Sequence, residues 1–174
     1  APVASLEITG LPESLTSGSA SSVTVTARDA NGNVASGYTG TIAFTSTDPQ
    51  ATLPDAYTFT VDDAGSHSFP ASVILRTAGT TIITVRDQNV NTITGARTAT
   101  VTPAAASRLI LSGIPASTTS GAAHDLTVTA QDEFGNTATG YTGTVQFTSS
   151  DPAAVLPDVY TFEPADAGVK TFSG

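Results

Sequence analysis

The sequence predicts an all-β chain of tandem β-sandwiches, the second of them incomplete. Composition, a long internal repeat and period-two alternation of apolar residues lead to that class. Methionine is absent and lysine occurs once among the 174 residues, whereas Thr and Ser together fill more than a quarter of the chain and Val and Ile are plentiful. Such residues suit a pleated, half-buried surface, so a helical bundle is excluded.

The repeat sets the architecture. With an offset of 103, Leu6 aligns with Leu109 and the match runs without a gap to Ala71 against Gly174; about 37 of these 66 positions are identical. Most shared residues are turn formers: Gly10/Gly113, Pro12/Pro115, Gly32/Gly135, Asn33/Asn136, and the Gly-Tyr-Thr-Gly runs at 37–40 and 140–143. The expected organisation is a complete repeat over 1–103 and a partial second repeat over 104–174 that lacks its last strands.

Seven strands are expected per repeat. The first, near 4–9, ends at the Gly10 and Pro12 turn. The second, 22–28, alternates Val23, Val25 and Ala27 with Thr24, Thr26 and Arg28, and Leu126, Val128 and Ala130 repeat the pattern. Ile42 and Phe44 mark a strand at 41–46, and Tyr57 and Phe59 one at 56–60. The Asp-Ala-Gly run at 63–65 opens the next, 66–76. Ile83 and Val85 define 80–87, and 97–102 closes the repeat. Seven strands in about 100 residues is the size of an immunoglobulin-like sandwich, with one core between two sheets. The Cys-Trp-Cys hallmark of antibody domains is missing.

The run Val-Thr-Val-Thr-Ala-Arg-Asp-Ala-Asn-Gly-Asn at 23–33 resembles the strand and turn signature of bacterial Ig-like tandem repeats of large surface and secreted proteins, the invasin/intimin-like adhesin type. The run Thr-Ala-Gly-Thr-Thr-Ile-Ile-Thr-Val at 77–85 is similar to the late strands of such modules. The resemblance covers the whole chain. It implies spacer or stalk modules that carry another domain away from a cell surface, and it speaks to fold more securely than to function. Between the repeats, Val101–Ser107 holds neither a Gly/Ser tract nor a charge block, and so short a junction should restrict the angle between domains.

Charge removes several classes. The net charge is -9, and the basic residues Arg28, Arg76, Arg86, Arg97, Arg108 and Lys170 form no run. Nucleic acid is therefore not an expected partner. No apolar run approaches eighteen residues, so no membrane span is expected. With no cysteine, disulfides and thiolate metal sites are excluded, which leaves export open. The chain starts at Ala1 with no leader, so either processing removed one or the chain is a segment of something longer.

A search for chemistry returns little. His67 and His124 align with Lys170 and Ser21, so neither is expected in a repeated site, and both read as surface or turn histidines. No Gly-x-Ser-x-Gly, dinucleotide or P-loop motif occurs, and Asp62-Asp63 becomes Ala165-Asp166. No catalytic residues and no enzyme are expected. Calcium is the one cofactor left open. Asp29, Asn31 and Asn33 have the Asp-x-Asn-x-Asn spacing of the first positions of a calcium loop, but the second copy puts Phe134 at the middle position and neither copy has a glutamate at the twelfth. A turn closed by Asp, with Gly and Asn at positive φ, explains both copies. Asp48, Asp87, Asp151 and the junction are further places for a cation.

Tyr38/Tyr141 and Tyr57/Tyr160 read as sugar platforms or as rings packed over a sandwich end with the hydroxyl bonded to backbone; the absence of tryptophan favours packing. The first repeat has no lysine, which excludes a Lys-Asn cross-link there, whereas a Thr-Gln ester using Gln50 or Gln88 stays open. No Asn-x-Ser/Thr sequon exists.

The sequence therefore points to a non-catalytic structural module of a bacterial extracellular repeat protein, a stalk, adhesin segment or filament building unit at the cell surface. Its partners would be neighbouring repeats or other copies of itself. The alternative is a module that binds a cell-surface glycan or protein receptor through its loops. The second copy has nothing to match Val73–Val101, and core residues Val128, Val145 and Phe147 are expected to be exposed beside open sheet edges. Either further sequence of a longer repeat protein or strands from a neighbouring molecule would cover them.

Overall fold

The structure, a computed structural model, describes residues 1–174. The chain forms two compact units, Ala1–Thr102 and Pro103–Gly174.

The first unit is a two-sheet sandwich. Its strands are β1 (Val3–Thr9), β2 (Ser14–Thr16), β3 (Ala20–Asp29), β4 (Thr41–Ser46), β5 (Tyr57–Thr58), β6 (Ser66–Ile74), β7 (Gly79–Asp87) and β8 (Thr94–Thr102). One sheet has the order β1-β3-β6 and the other β2-β8-β7-β4-β5. Alternation sets the register. Leu6 lies opposite Ala27 and Ile8 opposite Val25, so their side chains share the inner face. Val23, Val25 and Ala27 of that sheet and Ile42, Ile83, Val85 and Val101 of the other are all at most 2% exposed. The outer face carries Thr and Ser pairs across strands, such as Thr24–Ser68 and Thr41–Thr58.

Two details depart from the expected strands. β2 pairs parallel with β8, Leu15 opposite Val101; a three-residue strand with a single apolar position has no alternation to display. β5 is two residues long instead of the expected 56–60, because a 3-10 turn at Val61–Asp63 follows at once.

The second unit contains β9 (Arg108–Ser112), β10 (Leu126–Gln131), β11 (Thr144–Val145), β12 (Tyr160–Thr161) and β13 (Val169–Phe172). They form a sheet of order β13-β10-β9 and a two-stranded sheet β11-β12. Its core is small: Val128, Val145 and Phe162, with Tyr141, Phe147, Tyr160 and Phe172 packed against them. The expected exposure falls elsewhere than on Val128, Val145 and Phe147. Val128 and Val145 are 1% and 6% exposed, whereas Leu111, Ile114 and Val155 are 60%, 63% and 98% exposed. The aromatic rings of the unit close over its centre, and the uncovered residues lie on β9 and the loops.

Candidate functional site

β3 ends at Asp29, and the next four residues turn the chain back. The Asp29 backbone NH bonds the Asn33 carbonyl and the Gly32 NH bonds the Asp29 carbonyl, with Gly32 at φ 84°. The Asp29 carboxylate closes the turn: Oδ1 accepts the backbone NH groups of Asn31 and Asn33, each at 2.9 Å. Asn33 directs its Nδ2 at the same carboxylate, and Asn31 lies in solvent. Asp29, Asn31 and Asn33 thus share one turn, and what faces the Asp29 oxygens is a set of NH donors. The Asn33 amide holds the Asp29 carboxyl below its usual range against the upward push of burial, helped by the Asn33 side chain, the Asn31 amide and the N-terminal ammonium.

In the second copy this turn makes a further bond. Asp132 is fully buried. Its Oδ1 accepts the NH groups of Phe134 and Asn136, and its Oδ2 accepts Asn136 Nδ2 at 2.8 Å and the backbone NH of Ala104 at 3.1 Å. Ser107 NH bonds the neighbouring Gln131 carbonyl at 2.8 Å. Ala104 and Ser107, at the start of the second unit, are therefore bonded to the end of β10 by Asp132 and Gln131. Burial raises the Asp132 carboxyl, but the Asn136 side chain and the Ala104, Asn136 and Phe134 amides outweigh it and hold the group low. Sequence reasoning read this aspartate as a turn residue and missed the anchored segment, since nothing in the spacing of 28 residues between Ala104 and Asp132 signals a contact.

The other loop aspartates are likewise engaged by donors. Asp48 accepts the amides of Gln50, Arg76 and Thr77. Asp87 accepts those of Asn89 and Val90, and Asp151, which is exposed, that of Ala153. No group of three or more His, Cys, Asp or Glu side chains converges as a metal site.

The Gly-Tyr-Thr-Gly motif is a packing device whose hydroxyl has a different partner from the backbone expected. Tyr38 is buried and donates to Asp87 Oδ2 at 2.6 Å, with Phe59 edge-on to its ring. A Cβ on Gly40 would overlap both the tyrosine hydroxyl and that carboxylate, which is why the fourth residue is glycine. Burial, then the bond to Asp87 and its charge, raises the Tyr38 hydroxyl well above its usual value.

His67 does belong to a repeated site, contrary to the expectation from its mismatch with Lys170. Its ring stacks on Tyr57 at 3.8 Å between centroids, and Nδ1 lies 2.7 Å from Asp63 Oδ1. In the second unit Lys170 Nζ sits 4.5 Å from the centre of the Tyr160 ring and 3.1 Å from Asp166 Oδ1. Each copy seats a basic side chain between a tyrosine face and a carboxylate. The Thr60 amide holds the Asp63 carboxyl down, to about 2, with His67, the Thr60 hydroxyl and Tyr57 assisting against burial. A shallow groove of about 470 Å³ runs beside this cluster, lined by Leu53, Pro54, Tyr57, His67, Phe69 and Pro70 among others. His124 meets the Thr118 hydroxyl. Gln50 faces Thr77 Oγ1 with its amide nitrogen, at 3.3 Å and open to solvent.

No protein-family model matches the chain, and no curated protein matches it. Among solved structures it is similar to FdeC, an Escherichia coli adhesin, with a TM-score of 0.52 and 22% identity over 95% of this chain and 52% of that one. It is also similar to the Yersinia pseudotuberculosis adhesin InvE, with a TM-score of 0.47 and 22% identity over 96% and 49%. Domains 4–9 of the surface layer protein SbsC match at a TM-score of 0.38 and 17% identity, over 86% and 24%. The chain spans about half the length of the two adhesin structures. The likeness to FdeC is one of fold, and the chain is an all-β protein of the sandwich type found in that bacterial adhesin.

Proposed function

We propose that the chain is a non-catalytic structural segment of a bacterial extracellular repeat protein, working at the cell surface as a stalk or adhesin segment. The carrying observation is the Asp132 anchor, which bonds the segment entering the second repeat to the fold of that repeat. A spacer needs its connecting segments ordered, because a chain of loosely tethered beads collapses. The fold-level likeness to FdeC supports the surface setting. No helix is long and apolar enough to cross a membrane.

The test places residues 1–174 between a bacterial surface anchor and a fluorescent reporter. The spacer reading expects the reporter to be displaced outward and bare host cells to gain no adherence. Saturable binding of the isolated chain to host cells or glycans would overturn it in favour of a loop-based binding module. One observation favours that second reading, the groove beside Tyr57 and His67 with its two prolines and Phe69, so loss of such binding in Tyr57→Ala would locate it.

A further inference from the structure

Five asparagines occur in the chain, and the residue after each one separates them chemically. Val34, Val90, Thr92 and Thr137 follow Asn33, Asn89, Asn91 and Asn136, whereas Gly32 follows Asn31. A β-branched side chain crowds the backbone nitrogen of its own residue, and glycine leaves that nitrogen open. The structure adds exposure to this contrast. Asn31 lies in solvent and contributes only its backbone NH to the turn. Beside Gly32, nothing lies within 4 Å of where a Cβ would stand. One bond guards the position, from the Gly32 NH to the Asp29 carbonyl at 3.0 Å. The second copy has Phe134 in place of Asn31 and so lacks the amide altogether.

We propose that Asn31 is a self-modification site, its side-chain amide converted by water to aspartate and isoaspartate through Gly32 whenever the turn closed by Asp29 opens. The Gly32 NH leaves the Asp29 carbonyl and gives its proton to hydroxide, and its nitrogen attacks Asn31 Cγ. The new N–Cγ bond closes a succinimide ring. The Cγ–Nδ2 bond breaks, and Nδ2 departs as ammonia with a proton taken from water. Water then opens the ring at either carbonyl. Cleavage between the Gly32 nitrogen and Cγ restores the main chain and leaves an aspartate. Cleavage between that nitrogen and the original main-chain carbonyl routes the chain through Cβ and Cγ, which is isoaspartate.

Both products strain the turn. Aspartate places a second carboxylate in it beside Asp29. Isoaspartate lengthens a main chain whose Asn31 and Asn33 amides both reach Asp29 Oδ1 at 2.9 Å. The same turn sets Val34 against Arg28 and the Ala35 NH on the Ala27 carbonyl, with Ala35 buried. The first repeat therefore ages chemically at the end of β3, and the second, with Phe134, does not. This holds whether or not the chain is a spacer, since it uses one turn and its immediate neighbours.

The test incubates the full 174-residue chain in mildly alkaline buffer and reads each asparagine by peptide mass spectrometry, with an isoaspartate-specific methyltransferase identifying the rearranged product. The mass gain of amide-to-acid exchange is expected at Asn31 at least about tenfold faster than at the other four asparagines. A synthetic peptide of residues 23–37 gives the unguarded rate. The folded chain should react more slowly than this peptide, and amide hydrogen exchange at Gly32 should be slowed in parallel, because both need the turn to open. Asn31→Phe, which copies the second repeat, should abolish the gain and leave the fold intact. An unchanged Asn31 in the folded chain after full conversion of the peptide overturns the proposal, as do equal rates at all five asparagines. Equal rates in the folded chain and the peptide also overturn it, because the turn then guards nothing.

Discussion

Asp132 accepts three backbone amides, from Ala104, Phe134 and Asn136, and it is fully buried. Asp132→Ala strands all three donors, and a buried unpaired donor costs more than a hydrogen bond is worth in net terms. The variant should lose about 2–4 kcal/mol of second-unit stability by denaturant titration, and 15N relaxation should show Ala104–Ser107 freed to fast motion. Asp132→Asn keeps one acceptor oxygen and should lose less. The same donors bear on calcium. A cation at Asp29 would find Oδ1 taken by the Asn31 and Asn33 amides and would have to displace the Asn33 side-chain amide from Oδ2, so the melting temperature should be the same in calcium and in chelator; a rise with calcium would make the loop a metal site. Tyr38 gives a third residue-scale expectation. Its hydroxyl ionises less readily folded than unfolded, where its ordinary value is 10.0, so its contribution is complete below that pH and declines above it. Tyr38→Phe should cost about 1 kcal/mol near neutrality and remove part of the alkaline loss seen in pH-dependent melts.

Elements with apolar alternation were legible in the sequence, and the exceptions have physical reasons. Val23, Val25 and Ala27 announce β3 because one face of it is buried, and Ile83 and Val85 do the same for β7. β2 is held by its partner β8 and has one inward residue. The expected strand at 56–60 shrinks to Tyr57–Thr58 because Asp63 draws the chain into a turn, accepting the Thr60 amide at 2.7 Å. The candidate site was half legible: the Asp29 turn follows from its residue types, but the bond from Asp132 to Ala104 joins residues far apart in sequence and leaves no pattern. That same 3-10 turn ends with Ala64 at φ 46°, in the left-handed region, where a Cβ is strained. Ala64→Gly should therefore stabilise the first unit by about 0.5–1 kcal/mol, less than the full strain because glycine also loosens the unfolded chain. Gly95 predicts the reverse: Gly95→Ala drives a methyl group into the Leu6 carbonyl and should cost more than about 2 kcal/mol in thermal or denaturant unfolding.

At the scale of the molecule, two cores of unequal size imply two unfolding events. The first unit buries nineteen apolar side chains in one cluster, whereas the cluster of the second contains Val128, Val145 and Phe162. Burial of apolar surface is the main favourable contribution to folding, so calorimetry at neutral pH should resolve two transitions. The lower belongs to the second unit, where amides of β10 should exchange faster than those of β3. Acid should weaken both transitions. Asp48, Asp63 and Asp87 in the first unit and Asp132 and Asp166 in the second are all held below the ordinary value of 3.8 in the folded chain. A carboxyl with a lowered folded value adds stability that is complete above its unfolded value and disappears as pH falls through the folded one. Melting temperatures should therefore be flat near neutrality, begin to fall near pH 4, and continue falling towards the value of about 2 at which Asp63 takes its proton. Replacing His67 by lysine, the residue its counterpart already is, should keep the Asp63 contact and leave this acid limb in place, whereas His67→Ala should weaken it. Equal acid profiles for the wild type and His67→Ala would show that Thr60 and Tyr57 set the Asp63 carboxyl without His67.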